Sequence, residues 1–325
     1  MKRGISTAGL VVFLLVDVVL VYLALRPPSA ESASTTPSVV TSASADATEP
    51  TETPAQGAEA PTSPTATPRD AATSSTEGQS SPRPVRILLA ALDLEVAWRA
   101  TVGTCAAGGA TLSITVDGGT TWDEVEPPAG TISRIQPLDL DRGFIVGGAE
   151  GCAQDQFTTE DGGQAWAGPV ALVGGWARKL DVPTEVTTPQ SPAARPCGDD
   201  TVLDLSRTSS QQAEALCSDG SVRVTEDGGV GWSDSGEASG AVALANRLEG
   251  GVLTTYVVRL RAEGCDGLQV AKVVQGIEPG EVACIEADAP TGGNVALSVA
   301  EGAGWLVVDD RTWVSGPDLT VWEEA

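Results

Sequence analysis

Histidine is absent from this 325-residue chain, and tyrosine occurs only twice. Without histidine, the serine and cysteine hydrolase triads lack their usual general base. A zinc site is not expected either, because the chain has neither histidine nor a Cys-x-x-Cys pair. The sequence therefore predicts no metal site and no cofactor.

Basic residues are scarce. The chain has 19 Lys and Arg against 44 Asp and Glu, and residues 86–325 alone carry a net charge of −22. Such a field repels nucleic acid and anionic polymers, so no nucleic-acid partner is predicted. The acidity is explained either by the solubility of an exported domain or by a cationic partner or divalent ion.

Three copies of a short motif occupy residues 115–122, 159–166 and 225–232. Each follows an alternating pattern that is typical of a β-strand. Aspartate and glycine then favour a tight turn, and the large apolar face of tryptophan favours burial. The shared positions are Thr115, Asp117, Gly119, Trp122, Thr159, Asp161, Gly163, Trp166, Thr225, Asp227, Gly229 and Trp232.

These motifs resemble the Asp-box, the bacterial neuraminidase-type repeat Ser/Thr-x-Asp-x-Gly-x-Thr-Trp. The first copy matches at every position, and the other two differ only at Ala165 and Gly231. The resemblance implies that each box closes the hairpin between the third and fourth strands of a β-propeller blade. Its carboxylate is then structural and lies away from the active face.

The motif spacing indicates the number of blades. Trp122 and Trp166 are 44 residues apart, and a four-stranded blade needs about 40–45 residues. Residues 86–325 therefore predict an all-β propeller of about five four-stranded blades, or six if the insertion at about 170–199 contains one.

The N-terminus predicts a membrane anchor. Residues 4–25 form an apolar run of 22 residues that is long enough to span a bilayer, and Lys2 and Arg3 precede it. We expect residues 1–26 to be a single-pass signal anchor with a cytoplasmic N-terminus, although a cleaved signal peptide remains the alternative. Asp17 in this span either contacts another membrane helix or is simply tolerated.

Residues 27–85 are rich in Ser, Thr, Pro and Ala, which predicts a disordered linker. The domain at 86–325 is thus expected outside the cell membrane. The overall composition looks like an actinobacterial coding bias.

Six cysteines in an exported domain indicate disulfide bonds. Fifteen pairings exist, and the sequence alone does not choose among them. Cys197–Cys217 and Cys265–Cys284 are short-range candidates, which leaves Cys105–Cys152 to join neighbouring blades. Most of these cysteines are expected at the propeller end opposite the box turns.

The resemblance raises sialidase activity as a candidate. Sialidases use a tyrosine nucleophile, and the family adds an arginine triad, but Tyr256 is the only tyrosine outside the predicted span. Arg134, Arg223, Arg259 and Arg261 are interpreted as surface or salt-bridge residues. A glycosidase with two carboxylates is not excluded, because acidic residues are numerous. The prediction is a protein without catalytic activity.

The predicted function is a binding or scaffold module for a protein, peptide or glycan at the cell surface. Similar propellers, such as photosystem assembly factors and sortilin-type receptors, work as binders, which is an analogy of fold alone. The ligand is expected on the face opposite the box turns. Trp176, in the insertion, is the candidate ligand contact, unless that loop has no binding role. The alternative function is a carbohydrate-active enzyme with a sialidase-like fold.

Overall fold

The computed structural model describes residues 82–325. The predicted membrane span and most of the predicted linker lie outside these residues. In the described part, all regular secondary-structure elements are β-strands. No helix there has the length and apolarity that a bilayer crossing requires.

Twenty of the strands form five four-stranded sheets, which are the blades. Blade 1 contains β1 (Ile87–Ala91), β2 (Ala97–Thr101), β3 (Thr111–Thr115) and β4 (Asp123–Val125). Blade 2 contains β5 (Thr131–Pro137), β6 (Gly143–Gly148), β7 (Asp155–Thr159) and β8 (Ala167–Ala171). A two-stranded sheet follows, made of β9 (Ala177–Arg178) and β10 (Val186–Thr187).

The last three blades complete the domain. Blade 3 contains β11 (Val202–Arg207), β12 (Ala213–Cys217), β13 (Ser221–Thr225) and β14 (Ser233–Glu237). Blade 4 contains β15 (Ala241–Glu249), β16 (Val252–Leu260), β17 (Leu268–Val274) and β18 (Ile277–Ile285). Blade 5 contains β19 (Val295–Val299), β20 (Gly304–Val308), β21 (Arg311–Ser315) and β22 (Trp322–Glu324).

The blades are arranged in a closed ring. In every blade the strands pair antiparallel in chain order, so each blade is a meander. The first strands of neighbouring blades contact one another except β5 and β11, which are bridged by β9, and β1 contacts both β5 and β19, which closes the ring. This radial arrangement is a β-propeller, in which only the short outer strands remain as edges. The prediction of five four-stranded blades is confirmed.

The insertion between blades 2 and 3 contributes one strand to the inner ring. β9 contacts both β5 and β11, so it lies between the first strands of blades 2 and 3. Its partner β10 pairs with it, but no further strands extend this sheet. The sixth blade considered from the sequence is therefore represented by a two-stranded hairpin.

Tryptophan pairs connect neighbouring units of the ring. Each motif tryptophan packs edge-to-face against a tryptophan of the unit before it, with ring centroids 6.1–6.2 Å apart. Such a pair stabilises by about 0.5–1.5 kcal/mol beyond the area that it buries. The three pairs are Trp122 with Trp305, Trp166 with Trp98, and Trp232 with Trp176.

The two ends of the propeller carry different features. The turns that follow the first and third strands of each blade, including the three motif turns, lie at one end, the motif-turn face. The three disulfides lie at the other end, the disulfide face, as the strand directions require. They join Cys105 to Cys152, Cys197 to Cys217 and Cys265 to Cys284, which are the candidate pairs of the sequence.

Candidate functional site

The first motif turn is held by hydrogen bonds from its own residues. The Thr115 hydroxyl donates to Asp117 Oδ1 at 2.8 Å and accepts from the Gly119 N–H at 3.0 Å. Asp117 also accepts from the Thr121 N–H at 3.0 Å and from the Thr121 hydroxyl at 2.7 Å. The hydrogen bond from the Thr121 hydroxyl is the largest of the interactions that lower the pKa of Asp117. These partners all belong to the turn, so the carboxylate closes the turn.

The other two turns repeat this geometry without the second threonine. Asp161 accepts from Thr159 Oγ1 at 2.9 Å and from the Ala165 N–H at 2.9 Å. In the third turn, Asp227 accepts from the Thr225 hydroxyl at 2.8 Å. The pKa of both carboxylates is lowered, mainly by a backbone N–H in each turn. The two glycines after each aspartate have φ between +67° and +91°, which glycine adopts without strain.

Trp176 has the same packing role as the tryptophans of the blades. Its side chain is 3 % exposed, and its Nε1 donates to the Ser209 carbonyl at 3.0 Å. Trp305 makes the equivalent bond to the Asp93 carbonyl at 2.7 Å. A surface ligand therefore cannot reach the ring that the sequence suggested as a ligand contact. Trp176 lines the central channel, and its carbonyl accepts from Arg134 Nη1 at 3.3 Å.

The central channel contains a cavity of about 240 Å³. Six strands line it: the first strand of each blade together with β9. The lining of β5, β11 and β19 comes from residues 133–136, 204–207 and 296–299, which are nearest to the motif-turn face. β1 lines the cavity along its whole length and β15 with residues 244–246, so the cavity extends from the middle of the channel toward the motif-turn face.

Two arginines of the cavity have no carboxylate partner among residues 82–325. Arg134 donates to the Trp176 carbonyl, and its guanidinium carbon lies 4.7 Å from the centroid of the Phe144 ring. Burial, and then the charge of Arg207, lower the pKa of Arg134 to about 9. Arg207 donates to Gln136 Oε1, and its buried Nε has no hydrogen-bond partner in the described residues. Burial lowers the pKa of Arg207 as well.

The third arginine is compensated. Arg178 is 5 % exposed, its Nη2 donates to the Val85 carbonyl at 2.7 Å, and Asp204 provides the nearby opposite charge. Asp204 accepts from the N–H groups of Leu205 at 2.8 Å and Leu244 at 2.9 Å. Burial raises the pKa of Asp204, while Arg178 opposes this rise. The cavity thus holds three guanidinium groups and one carboxylate, so its charge is opposite to that of the whole chain.

The disulfide end of the channel is crossed by the start of the described chain. The Val85 N–H donates to the Leu203 carbonyl of blade 3 at 3.0 Å, and the Arg86 N–H donates to the Gly293 carbonyl beside blade 5 at 2.8 Å. Val85 is 2 % exposed and belongs to the core between blades 4 and 5. The sequence places Val85 in the linker, whereas the structure places it inside the propeller.

The residues of the two candidate enzyme classes are not brought together in the cavity. Tyr256 is 5 % exposed, does not line the cavity, and donates to Glu249 Oε1 at 2.7 Å. Its burial raises its pKa to about 12, which opposes formation of a phenolate nucleophile. Asp204 is the only carboxylate in the described lining, whereas a glycosidase uses two carboxyl groups across the scissile bond. The described residues also contain no cluster of three or more potential metal ligands.

The sequence does not indicate the cavity arginines as a group. Arg134 is interpreted from the sequence as a surface or salt-bridge residue, but it lines the channel without an acidic partner in the described residues. Arg259, by contrast, forms a salt bridge with Glu278 at 2.8 Å. Neither Arg207 nor Asp204 stands out in the sequence. The available signal is that Arg134 and Arg207 both lie in the first strand of a blade.

The ring of blades defines the class of this protein as a five-bladed β-propeller with a basic central cavity. No protein-family model matches the chain, and no curated protein matches it. Among solved structures, the chain is similar to the six-bladed fungal lectin of Aleuria aurantia, at 11 % identity and a TM-score of 0.44 over 75 % of this chain and 95 % of the lectin.

Two further structures represent other propellers. One is YCF48 bound to a D1 peptide, at 18 % identity and a TM-score of 0.28 over 76 % of this chain and 67 % of that protein. The other is a GH43B enzyme of Bacteroides ovatus, at 10 % identity and a TM-score of 0.37 over 71 % of this chain and 49 % of the enzyme. At these values the likenesses carry no functional argument, and the fold rests on the strand topology.

Proposed function

We propose that this protein is a membrane-anchored, extracytoplasmic β-propeller that acts as a non-catalytic binding module. Its cavity would receive the carboxylate of a protein, peptide or glycan. The observation that carries this proposal is the pair Arg134 and Arg207, which face one cavity without an acidic partner among the described residues. Guanidinium groups bind carboxylates through charge-assisted, often bidentate hydrogen bonds.

The burial of these two arginines in one cavity destabilises the folded state, so a purely structural role does not explain it. Two like charges close together in a buried cavity destabilise each other, and burial removes water from both. In a domain with 36 acidic residues, a solely structural arginine could readily have an acidic partner, as Arg259 has. An anionic ligand would supply the missing opposite charge, which supports a binding role.

The extracytoplasmic location rests on the sequence. The apolar run at 4–25 and the basic residues before it support an anchor with a cytoplasmic N-terminus. The three disulfides are typical of a protein that folds in an oxidising compartment. The hydrogen-bonded motif turns support an assignment of the repeats to the Asp-box class.

A sialidase-like glycoside hydrolase is the second candidate. The same arginines favour it, because they could hold the carboxylate of an acidic sugar. The position of Tyr256 outside the cavity opposes it. Hydrolysis of a fluorogenic sialoside by the full-length chain tests this alternative, and we expect no turnover above that of the buffer.

The binding role is tested with a small carboxylate and its neutral analogue. N-acetylglycine and N-acetylglycinamide differ only in the group that the arginines would bind. Bound ligand stabilises the folded state, by about 2.7 kcal/mol at one hundred times Kd. We expect N-acetylglycine, but not the amide, to raise the unfolding temperature of the full-length chain.

Arginine variants locate the site. Arg134→Gln and Arg207→Gln should each weaken N-acetylglycine binding at least tenfold. The matched control is Arg195→Gln, which removes the same charge from an exposed pair with Asp199 in the insertion. Equal stabilisation by the acid and the amide, or equal binding by all three variants, would overturn the proposal.

A further inference from the structure

Exposed apolar side chains are concentrated on the motif-turn face. Twelve large apolar residues are exposed in the described part of the chain, and ten of them lie in turns or strand ends on this face. The turns after the first strands of blades 1, 2 and 4 carry five of them, which surround the channel mouth. These five are Leu94, Leu138, Leu140, Leu248 and Val252. The other two, Val170 and Val173, lie in β8 and in the insertion that follows it.

Such a distribution indicates an interaction surface. Single exposed apolar residues are normal on a monomer, but a group of them surrounded by polar residues is typical of a protein-binding site. The remaining five exposed apolar residues lie in the turns after the third strands of blades 1, 3, 4 and 5. The apolar positions therefore extend from the channel mouth to the rim of the face.

The cavity is reached from this same face. Its lining extends to the motif-turn ends of the inner strands β1, β11 and β19, and the backbone at Val85 and Arg86 crosses the channel at the other end. A cavity of about 240 Å³ is smaller than the roughly 300–1,000 Å³ of small-molecule pockets. It has space for one side chain or terminal group, so the rest of a ligand must lie on the motif-turn face.

The charge of this face defines its partner. Five exposed acidic residues in its turns form no salt bridge among the described residues: Glu95, Asp141, Glu160, Glu226 and Glu301. The arginines of this face, Arg142 and Arg247, already form salt bridges with Asp139 and Glu249. The surface around the basic cavity is therefore both acidic and apolar.

We propose that the motif-turn face is a docking surface for a polypeptide that presents apolar and basic side chains around one carboxylate. The apolar side chains cover the leucines at the channel mouth, the basic ones face the acidic rim, and the carboxylate enters the cavity between Arg134 and Arg207. This inference rests on the proposed binding function and adds the partner class and the face. It moves the ligand from the face expected from the sequence to the opposite one.

A library of random dodecapeptides, displayed on phage and selected on the full-length chain, tests the inference. We expect the selected peptides to combine apolar and basic residues with an Asp or Glu, and alanine at that acidic position should weaken binding at least tenfold. Binding should also weaken as salt rises from about 0.01 M to about 0.15 M, because the screening length falls from about 30 Å to about 8 Å.

Paired surface variants identify the face. The double variant Leu138→Ser/Leu140→Ser should weaken binding of a selected peptide at least tenfold. The matched control Val170→Ser/Val173→Ser changes two exposed apolar residues of β8 and the insertion, away from the channel mouth, and should leave binding unchanged. All four side chains are more than half exposed, so both variants should keep the wild-type unfolding temperature.

The peptide and N-acetylglycine experiments together distinguish failure of the docking surface from failure of the proposed binding function. Failure to select any peptide, selection of acidic peptides, or loss of binding only in the valine variant would overturn the docking surface. If N-acetylglycine still binds in these cases, the proposed function stands and a glycan becomes the better ligand class. If N-acetylglycine does not bind the wild-type chain, the proposed function itself is wrong.

Discussion

Replacing Arg134 with methionine should make the protein more stable while it abolishes carboxylate binding. In the wild-type protein, burial and the charge of Arg207 lower the pKa of the Arg134 guanidinium to about 9, so the folded state disfavours its charged form. Because each tenfold change in proton affinity corresponds to about 1.4 kcal/mol, the charge costs roughly 4–5 kcal/mol of folding free energy. Methionine has a similar length, carries no charge and adapts to irregular space.

The interactions that Arg134 loses are smaller than this cost. The bond to the Trp176 carbonyl is long, at 3.3 Å, and a charged hydrogen bond contributes about 1.5–3 kcal/mol at best. The contact with the Phe144 ring contributes about 0.5–1 kcal/mol. The variant should therefore gain up to about 3 kcal/mol, which overlaps the range of about 1–4 kcal/mol seen when buried ions are replaced by apolar side chains.

Urea and thermal unfolding at neutral pH measure this gain. For a domain of this size, each kcal/mol raises Tm by about 2–4 °C. The gain should be constant below pH 9, where Arg134 is protonated in both the folded and unfolded states.

Arg195→Met provides the control, because its exposed pair with Asp199 contributes less than about 1 kcal/mol. The opposite result would refute the reasoning: a variant that unfolds at lower urea than the wild type and still binds N-acetylglycine. Arg134 would then be a structural residue, and its low pKa would have no functional meaning.

Three further predictions test the architecture. Gly229→Ala should lower the free energy of unfolding by about 2–5 kcal/mol in urea. Its φ of +91° is unfavourable for a residue with a Cβ, and the added methyl carbon would lie only 2.5 Å from the Thr188 side chain. The control Gly250→Ala, where the methyl group meets open space, should cost only about 1–2 kcal/mol. Removing the Cys105–Cys152 disulfide, which closes a loop of 47 residues, should lower the free energy of unfolding by about 4 kcal/mol. An unfolding midpoint equal to that of the wild type would contradict the presence of this bond. Tyr256 should ionise at about pH 12 in an absorbance titration, and Glu249→Gln should lower that value; an ordinary tyrosine pKa would disprove their contact.

The local motifs made the fold predictable. Each box contains its own threonine, aspartate, glycines and tryptophan, so a hairpin could be derived from eight residues without knowledge of the rest. The tryptophan period then indicated the number of blades. The two-stranded insert was not resolved this way, because β9 and β10 contain only two residues each and leave no alternating pattern.

The candidate site was much less predictable. Arg134 and Arg207 lie in different blades, and they share a cavity only because the ring closes around it. Alternation in a strand says which residues share a face, but consecutive residues of the inner strands line the cavity, so alternation does not mark them. Trp176 lies in an irregular segment, so its pairing with Trp232 became visible only in three dimensions. Val85 falls in the predicted linker because a single apolar residue after Pro84 forms no pattern.

A crystal structure of the full-length chain with N-acetylglycine is the most direct test of the central claim, that the channel holds a carboxylate site open to the motif-turn face. The account predicts that the carboxylate lies between Arg134 and Arg207, with hydrogen bonds to both guanidinium groups. A ligand on the disulfide face, or a carboxylate that contacts neither arginine, would contradict it.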